Sequence, residues 1–484
     1  MTRRGPVRYG GDAMDRILPS RNALLVGAAV LCAQLFLLAT FVVDPKIPVA
    51  LTFVLVIGVV LLDLPIWGVG CMLAARLVST GTMSFFTIGK ISIGLFEPVL
   101  FLALITLGLK AVFSQKALWR PWPWQFVFLS IMGWRVLGLA WCSSKTDGLK
   151  EIIALGVILA TSSIILAFIE TWDDVKTMIW FWILACVAIG ILAIFGDAFG
   201  LTDYGAQWKA SASGGRETGL GQQPNWFAMN LMFVVHACAA FALVQRRASL
   251  RWGLLIATVW IFFSMMTSGS RGGAYSIVIG GGLVALGQPL FRKWFLRFSA
   301  LGLFFFGVAA TINLGDIGKG LNRISGNVDV LFARDIRGLN WAACLGMFRD
   351  TNGLGIGPGG YITNLQKYSD WLYHSVYRYP HGIIWGEIAH GGVVGVVLLF
   401  ALVVVIARMT MATIRDTAGT EAEVLAWAMP ASMAGYFAWS FVEFSLDEKP
   451  FWEWLALYTA LHLVARKAKE GKLPPIPAWS LSLA

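Results

Sequence analysis

The sequence predicts an all-α, polytopic membrane protein, and three observations predict it. Hydrophobic residues make up 57% of the 484 and charged residues only 13%, with a mean hydropathy of +0.71. Soluble domains carry roughly twice that share of charge. Apolar runs near twenty residues recur along the chain, the length a helix needs to cross a hydrocarbon core about 30 Å thick. Basic residues are bunched in a few short segments between those runs, as the positive-inside rule requires of loops that stay in the cytoplasm.

The runs place spans at about 22–43, 49–65, 67–85, 93–113, 123–142, 150–169, 175–198, 225–245, 252–268, 273–290, 297–314, 391–409, 424–444 and 450–466. The first is too long for the apolar core of a signal peptide and lacks a small-residue cleavage site, so it is kept as a span. Arg76 lies inside the pair between 49 and 85. That segment therefore reads either as two short helices or as a re-entrant hairpin, and the total is about 12–14. The net charge of +11 follows from the basic inner loops and calls for no nucleic acid. The 6 cysteines form no CxxC pair, so neither a disulfide framework nor a metal site is read from them.

Sidedness follows from the basic segments. Arg3, Arg4, Arg8, Arg16 and Arg21, then "RRASLR" (246–251), "FRKWFLR" (291–297) and "RKAKEGK" (466–472), fall on one side of the alternating scheme, assigned to the cytoplasm. The expected organisation is a cytoplasmic tail (1–21), an N-terminal bundle (22–198), an outer loop (199–224), further spans (225–314), a large outer loop (315–390), C-terminal spans (391–466) and a cytoplasmic tail (467–484). The outer loops mix acids, Trp, Tyr and Gly, the composition of a folded site.

"TSGSRGGAYS" (267–276) puts Arg271 at an outward hairpin tip. A snorkelling arginine that meets lipid phosphates is one explanation. Its small neighbours, Ser268, Gly269, Ser270, Gly272 and Gly273, favour another. They let backbone N–H groups approach an anion, at the N-terminus of the next helix. "SGGRETGLGQQPNWFAMNL" (213–231) offers a second outward arginine, Arg216, before Pro224 and Asn225, which read as helix-start residues. Two guanidinium forks suit a diphosphate.

In the large loop, 331–349 reads as an amphipathic surface helix with Leu331, Leu339, Trp341, Leu345 and Phe348 on its apolar face. Arg334 and Arg337 on it either face the site or solvate the helix. "GLGIGPGGY" (353–361) departs from the dinucleotide fingerprint and reads as a turn that brings the chain back to the site. Of five histidines, His236 and His462 lie in spans and are expected to bond locally, while His374, His381 and His390 lie in the loop. His381, between Pro380 and Gly382, is the candidate base for a sugar hydroxyl. Glu387 and His390 sit three apart on a helix, but a metal site with His381 has no further ligand in view. Asp63, Arg76 and Glu443 are the few charges inside spans, and they are scattered.

"RETGLGQQPN", "TSGSRGG", "GLGIGPGGY" and "PHGIIWGEIAHGGVVG" occur in the order seen in the O-antigen ligase and polymerase superfamily, which the region from about 210 to 400 resembles. The ligases carry His-[Asn/Ser/Gln]-x9-Gly-x-x-[Gly/Thr/Tyr]. Here His381, Gly392 and Gly395 fit, and Gly382 departs from the pattern. The resemblance implies a GT-C-like glycosyltransferase of the bacterial inner membrane with a periplasmic active site. Its donor would be an undecaprenyl-diphosphate-linked glycan, and its acceptor lipid A–core (ligase) or a second lipid-linked glycan (O-antigen or exopolysaccharide polymerase). Transfer would be inverting and would need no cofactor or metal. Polysaccharide-assembly proteins and membrane lipids are the other expected partners. His381 matches the family's essential histidine. Arg216 and Arg271 match its diphosphate-neutralising positions, with Ser270, Arg334 and Arg337 as further substrate contacts. A transporter or flippase is the competing class and would concentrate charge near the bilayer midplane. A scaffold subunit of an export complex would not need the Arg–Arg–His set.

Overall fold

A computed structural model of the chain describes residues 64–79, 86–88, 91–93, 96–114, 122–195, 224–289, 291–293, 296–297, 336–374, 379–443 and 446–478. The expected span at 22–43, nearly all of those at 49–65 and 297–314, and the positions Arg216 and Arg334 lie outside the described residues. The chain divides into two compact units, Met1–Arg120 and Pro121–Ala484.

In the first unit, helix α1 (Pro65–Ser79) precedes strands β1 (Phe86–Ile88) and β2 (Ile91–Ile93), and helix α2 (Phe96–Ser114) follows. The strands pair antiparallel, with Phe86 opposite Ile93 and Ile88 opposite Ile91. The sequence expectation had no strand here and ran a span to residue 85. "FTIGKISI" alternates β-branched and polar residues around Gly89, and that pattern favours a hairpin over a helix. Arg76 lies buried in the last turn of α1.

The described elements of the second unit are helices: α3 (Pro123–Gly138), α4 (Lys145–Phe168), α5 (Trp172–Phe195), α6 (Pro224–Val244), α7 (Ala248–Thr267), α8 (Arg271–Gly287), α9 (Ile336–Asp350), α10 (Tyr361–Tyr368), α11 (Asp370–His374), α12 (Ile383–His390), α13 (Gly392–Thr417), α14 (Glu423–Ser440) and α15 (Lys449–Lys469). Among the described residues, five helices (α4, α5, α6, α7 and α13) are long and apolar enough to cross a membrane. This is a helical membrane protein. Helix starts follow ordinary end chemistry. Ser144 accepts from the Asp147 N–H at 3.3 Å, Ser270 accepts from the Gly273 N–H at 3.4 Å, and Pro224 occupies the first position of α6.

Helix α15 forms the centre. Trp452, Trp454 and Tyr458 on it are fully buried. Trp124 of α3 stacks on Trp452 at 5.7 Å, and Trp182 of α5 meets Trp454 edge-on at 4.9 Å. Such offset and edge-to-face pairs add to the apolar area the rings bury. Pro430 stands inside α14 and has no N–H to give the Ala426 carbonyl. Tyr458 Oη donates to that carbonyl instead, at 3.2 Å, so a backbone acceptor that lipid could not satisfy is paired.

Helices α8 and α14 approach through small residues. A Cβ on Gly272 would stand 1.9 Å from Trp439 Nε1, one on Gly280 would stand 2.7 Å from the Ala431 carbonyl oxygen, and one on Gly435 would stand 2.4 Å from the Ser276 carbonyl oxygen. Positions 272, 276 and 280 recur every four residues on one face, the small-xxx-small spacing of close membrane helices. That packing sets the start of α8 beside the end of α14.

The two ends of this unit differ. At one end lie the starts of α6 and α8 and the last turn of α14. At the other, Arg246 pairs with Glu421 (3.5 Å), Gln288 Nε2 donates to Glu423 (2.6 Å) and Lys469 pairs with Asp416 (2.8 Å). The basic segments 246–251 and 466–472 therefore sit at the end opposite Arg271.

The turn 353–360 is built on glycines with positive φ, including Gly355 (79°) and Gly359 (65°). It docks by backbone bonds, Ile356 N–H to the Ala389 carbonyl (2.8 Å) and Val393 N–H to the Gly353 carbonyl (2.9 Å). Gly392 (φ 58°) faces this turn, and a Cβ there would stand 2.0 Å from the Gly353 oxygen. Gly392→Ala is expected to lower the thermal midpoint in detergent by the equivalent of about 1–3 kcal/mol, the usual cost of a strained backbone site. Gly282→Ala, where a Cβ meets nothing within 4 Å, should leave the midpoint unchanged or raised. Equal melting of the two variants would contradict the role given to this contact.

Candidate functional site

Four separate segments meet on the last turn of α14 and the residues after it. The hub is Glu443. The sequence expectation placed it inside a span, scattered from other charges; the structure ends α14 at Ser440 and sets Glu443 in the following turn, 4% exposed. Three side chains surround it there. Asn225 Nδ2 donates to Glu443 Oε1 at 2.6 Å, and Arg337 Nη2 donates to Oε2 at 2.9 Å while its Nε donates to the Val442 carbonyl at 2.9 Å. His381 Nδ1 stands 3.9 Å from Oε2. Burial pushes the carboxyl up, but His381 and Arg337 outweigh it and hold Glu443 down at about 2.

His381 is 5% exposed and takes φ 49°. A positive φ in a bulky residue persists only where its surroundings fix it, and here three contacts do so. Trp341 Nε1 donates to the His381 carbonyl at 2.9 Å. Trp341 in turn stacks on Trp385, with centroids 5.0 Å apart. The Tyr379 ring lies 3.8 Å from the imidazole. The next residue, Gly382, has φ 145°, and a Cβ there would stand 2.5 Å from the Phe441 carbonyl oxygen. A side chain at position 382 would clash on this backbone, so glycine is required there. The two glycines of the ligase pattern have equally local reasons. Gly392 meets the 353–360 turn, and a Cβ on Gly395 would stand 2.6 Å from Glu387 Oε2.

Arg271 opens α8, half-buried, and makes no hydrogen bond or ion pair with the described residues. It stands at a helix N-terminus, where partial positive charge collects. Its neighbour Gly272 abuts Trp439, two residues before the Phe441 that Gly382 abuts. The "SGSRGG" and "PHG" motifs thus rest on one helical turn. Ser270 is buried, and its hydroxyl caps α8 through Gly273. Arg337 faces the site through Glu443 and does not merely solvate its helix. Arg216 and Arg334, the other two expected arginines, lie outside the described residues.

A second buried charge network supports α12, the helix that follows His381. Arg135 of α3 pairs with Glu387 at 2.5 Å and with Glu151 of α4 at 2.9 Å, and His390 faces Glu151 at 3.5 Å. Glu151 Oε2 also accepts the Gly359 N–H at 2.8 Å. Glu387 and His390 are thus engaged with Arg135 and Glu151 and share no centre with His381. Among the described residues, no group of three or more His, Cys, Asp or Glu is placed to hold a metal. His374 lies exposed, 3.5 Å from Asp370. His236 Nε2 donates to the Ile277 carbonyl (3.0 Å) and Nδ1 pairs with Ser432 (3.1 Å); His462 Nδ1 pairs with Thr413 (2.9 Å). Both lie in helices of the bundle, as expected, but each bonds across to another helix and not locally.

Sequence reasoning missed Glu443, and it took Asn225 for a capping residue. The available signal was an acid at the end of an expected span with no basic partner in its own helix; its partners lie 218 and 106 residues away. No protein-family model and no curated protein matches this chain.

The pH response of the hub is fixed in sign. A carboxyl held near 2 in the fold, against about 4.5 when free, adds stability that is fully present above the free value and is lost as pH falls toward the folded one. The difference in thermal midpoint between the native chain and Glu443→Gln should be widest near neutral pH and close between about pH 4.5 and 2. A gap unchanged from pH 7 to pH 3 would contradict an ionised, paired Glu443.

Proposed function

We propose that this chain is a GT-C-like glycosyltransferase of the bacterial inner membrane. It would move a glycan from undecaprenyl diphosphate to an acceptor sugar at the periplasmic face, with lipid A–core as the acceptor, as in O-antigen ligases. The observation that carries the reading is the meeting, at the end of α14, of a buried and sterically fixed histidine with the helix start that bears Arg271, an arginine without a hydrogen-bond or ion-pair partner among the described residues. A base and an anion site at one end of a membrane bundle suit a donor whose reacting group is polar and whose tail is lipid.

The acceptor hydroxyl gives its proton to His381 as its oxygen attacks the anomeric carbon from the face opposite the diphosphate. The carbon–oxygen bond to the diphosphate breaks, and its electron pair leaves with the phosphate. Arg271 and Arg216 neutralise that charge, and the attack inverts the anomeric centre. The end bearing the basic segments is the cytoplasmic one by the positive-inside rule, which turns Arg271 and His381 to the periplasm. A transporter is the weaker reading, because Arg135, Glu387 and Glu443 gather toward one end of the bundle rather than near its middle.

The test uses purified protein with undecaprenyl-diphosphate-linked glycan, with and without lipid A–core, and products read by gel and mass. Acceptor-dependent transfer is the expected result. A ladder of longer glycans without lipid A–core would make the enzyme a polymerase of the same chemistry, and no product in either arm would defeat the reading. Arg271→Ala should abolish transfer in a protein that melts normally. Arg271→Lys should recover little, since a point charge lacks the guanidinium fork. EDTA should leave the rate unchanged.

A further inference from the structure

We propose that Glu443 is the positioning residue for His381, directing the imidazole hydrogen to Nδ1 so that Nε2 is the nitrogen that takes the acceptor's proton. The geometry stands apart from the glycosyl-transfer reading; only the chemistry rests on it.

Both side chains are nearly sealed from solvent, at 5% and 3% exposure, and Nδ1 is the imidazole atom that faces Oε2, at 3.9 Å. An ionised carboxylate only accepts hydrogen bonds, so its charge favours the tautomer with the hydrogen on the nitrogen that faces it. The distance exceeds a hydrogen bond but lies within reach of a small side-chain rotation. The carboxylate itself is held: Asn225 fixes Oε1, and Arg337 fixes Oε2. Trp341 ties the backbone carbonyl of His381, and the Tyr379 ring lies against the imidazole.

With Nδ1 protonated, Nε2 presents a lone pair. The acceptor O–H bond breaks and its proton goes to Nε2; the new bond forms at the anomeric carbon as the diphosphate departs with the electron pair of the old one. The imidazolium left behind faces the Glu443 charge and later yields its proton to water. Arg337 moderates this arrangement, because its guanidinium shares Oε2 with His381. The titratable and charged groups described around His381 are Glu443 from the turn after α14, Arg337 from α9 and Tyr379 from its own segment. The two charges act oppositely. Removing Glu443's negative charge should lower the titration midpoint of His381, and removing Arg337's positive charge should raise it.

The experiment is ¹⁵N-histidine NMR of the full-length chain in lipid vesicles, with His381 assigned by difference from His381→Gln. The neutral form should carry its hydrogen on Nδ1. Glu443→Gln should lower the titration midpoint by roughly one unit or more and Arg337→Gln should raise it. The acidic limb of the kcat/KM profile should move with each, and Glu443→Asp should restore the native direction in part. Opposite shifts are a signature that a merely structural role does not produce. A neutral form protonated on Nε2, or midpoints unmoved by either substitution, would overturn the proposal. If Glu443→Gln fails to fold, the upward shift in Arg337→Gln, a more exposed position, decides alone. The NMR result with no glycan transfer would sink the transfer reading and keep the dyad. Transfer that needs His381 but ignores Glu443 in both readouts would do the reverse.

Discussion

A carboxylate buried to 3–4% exposure must be matched by donors or cations, because leaving it unpaired would cost several kcal/mol. Glu443 makes that demand at the end of α14, and the fold answers it from three other places in the chain. Asn225 comes from the start of α6, Arg337 from α9, and His381 from the segment before α12. Each of these segments must arrive at one turn in a fixed orientation. Beside it, α14 ends at Ser440 and His381 takes a positive φ. Such departures from local preference persist where the surrounding contacts over-determine them, and they are commonest at functional sites.

The contacts that bring the segments together are steric before they are electrostatic. Gly272 admits Trp439, Gly382 admits the Phe441 carbonyl, and Gly392 admits the 353–360 turn. Behind them, Arg135 bridges α3 to α12 through Glu387 and to α4 through Glu151. Removing one partner of such a buried group strands the other, which typically costs about 3–5 kcal/mol. The network therefore acts as a brace for the helix that carries the histidine motif. With α12 braced and His381 locked by Trp341 and Tyr379, the proposed transfer would have a base held in place before substrate arrives, the condition for efficient proton transfer.

Hydropathy made much of this fold legible. Helices α4 to α8 match the apolar runs 150–169, 175–198, 225–245, 252–268 and 273–290 to within a few residues, because each run is bounded by polar caps. A helix does occur in the region expected at 331–349, as α9 (Ile336–Asp350), with 331–335 outside the described residues; its buried face is Ala343, Cys344 and Met347, whereas Leu339 and Leu345 of the expected apolar face are exposed. The strand pair Phe86–Ile88 and Ile91–Ile93 falls in the short link between the expected spans 67–85 and 93–113, where three-residue strands leave too short an alternation to read. Arg271, His381 and the glycine turn stood out by residue type. Glu443 and Asn225 did not, because their meaning lies in a contact across 218 residues. An apolar period records which face of a helix is buried and says nothing of which distant side chain meets its end. Gly382 is the converse case: a glycine that is opaque in one dimension becomes a steric necessity once Phe441 is seen beside it.

The most direct test of the account is an electron-microscopy structure of the chain in nanodiscs with undecaprenyl diphosphate. The account predicts diphosphate density at the start of α8, within hydrogen-bonding distance of the Arg271 guanidinium and on the side of Trp439 that leads to His381, with the lipid tail running down the bundle. Diphosphate bound near the bilayer midplane, or at the end that carries Arg246 and Lys469, would contradict it.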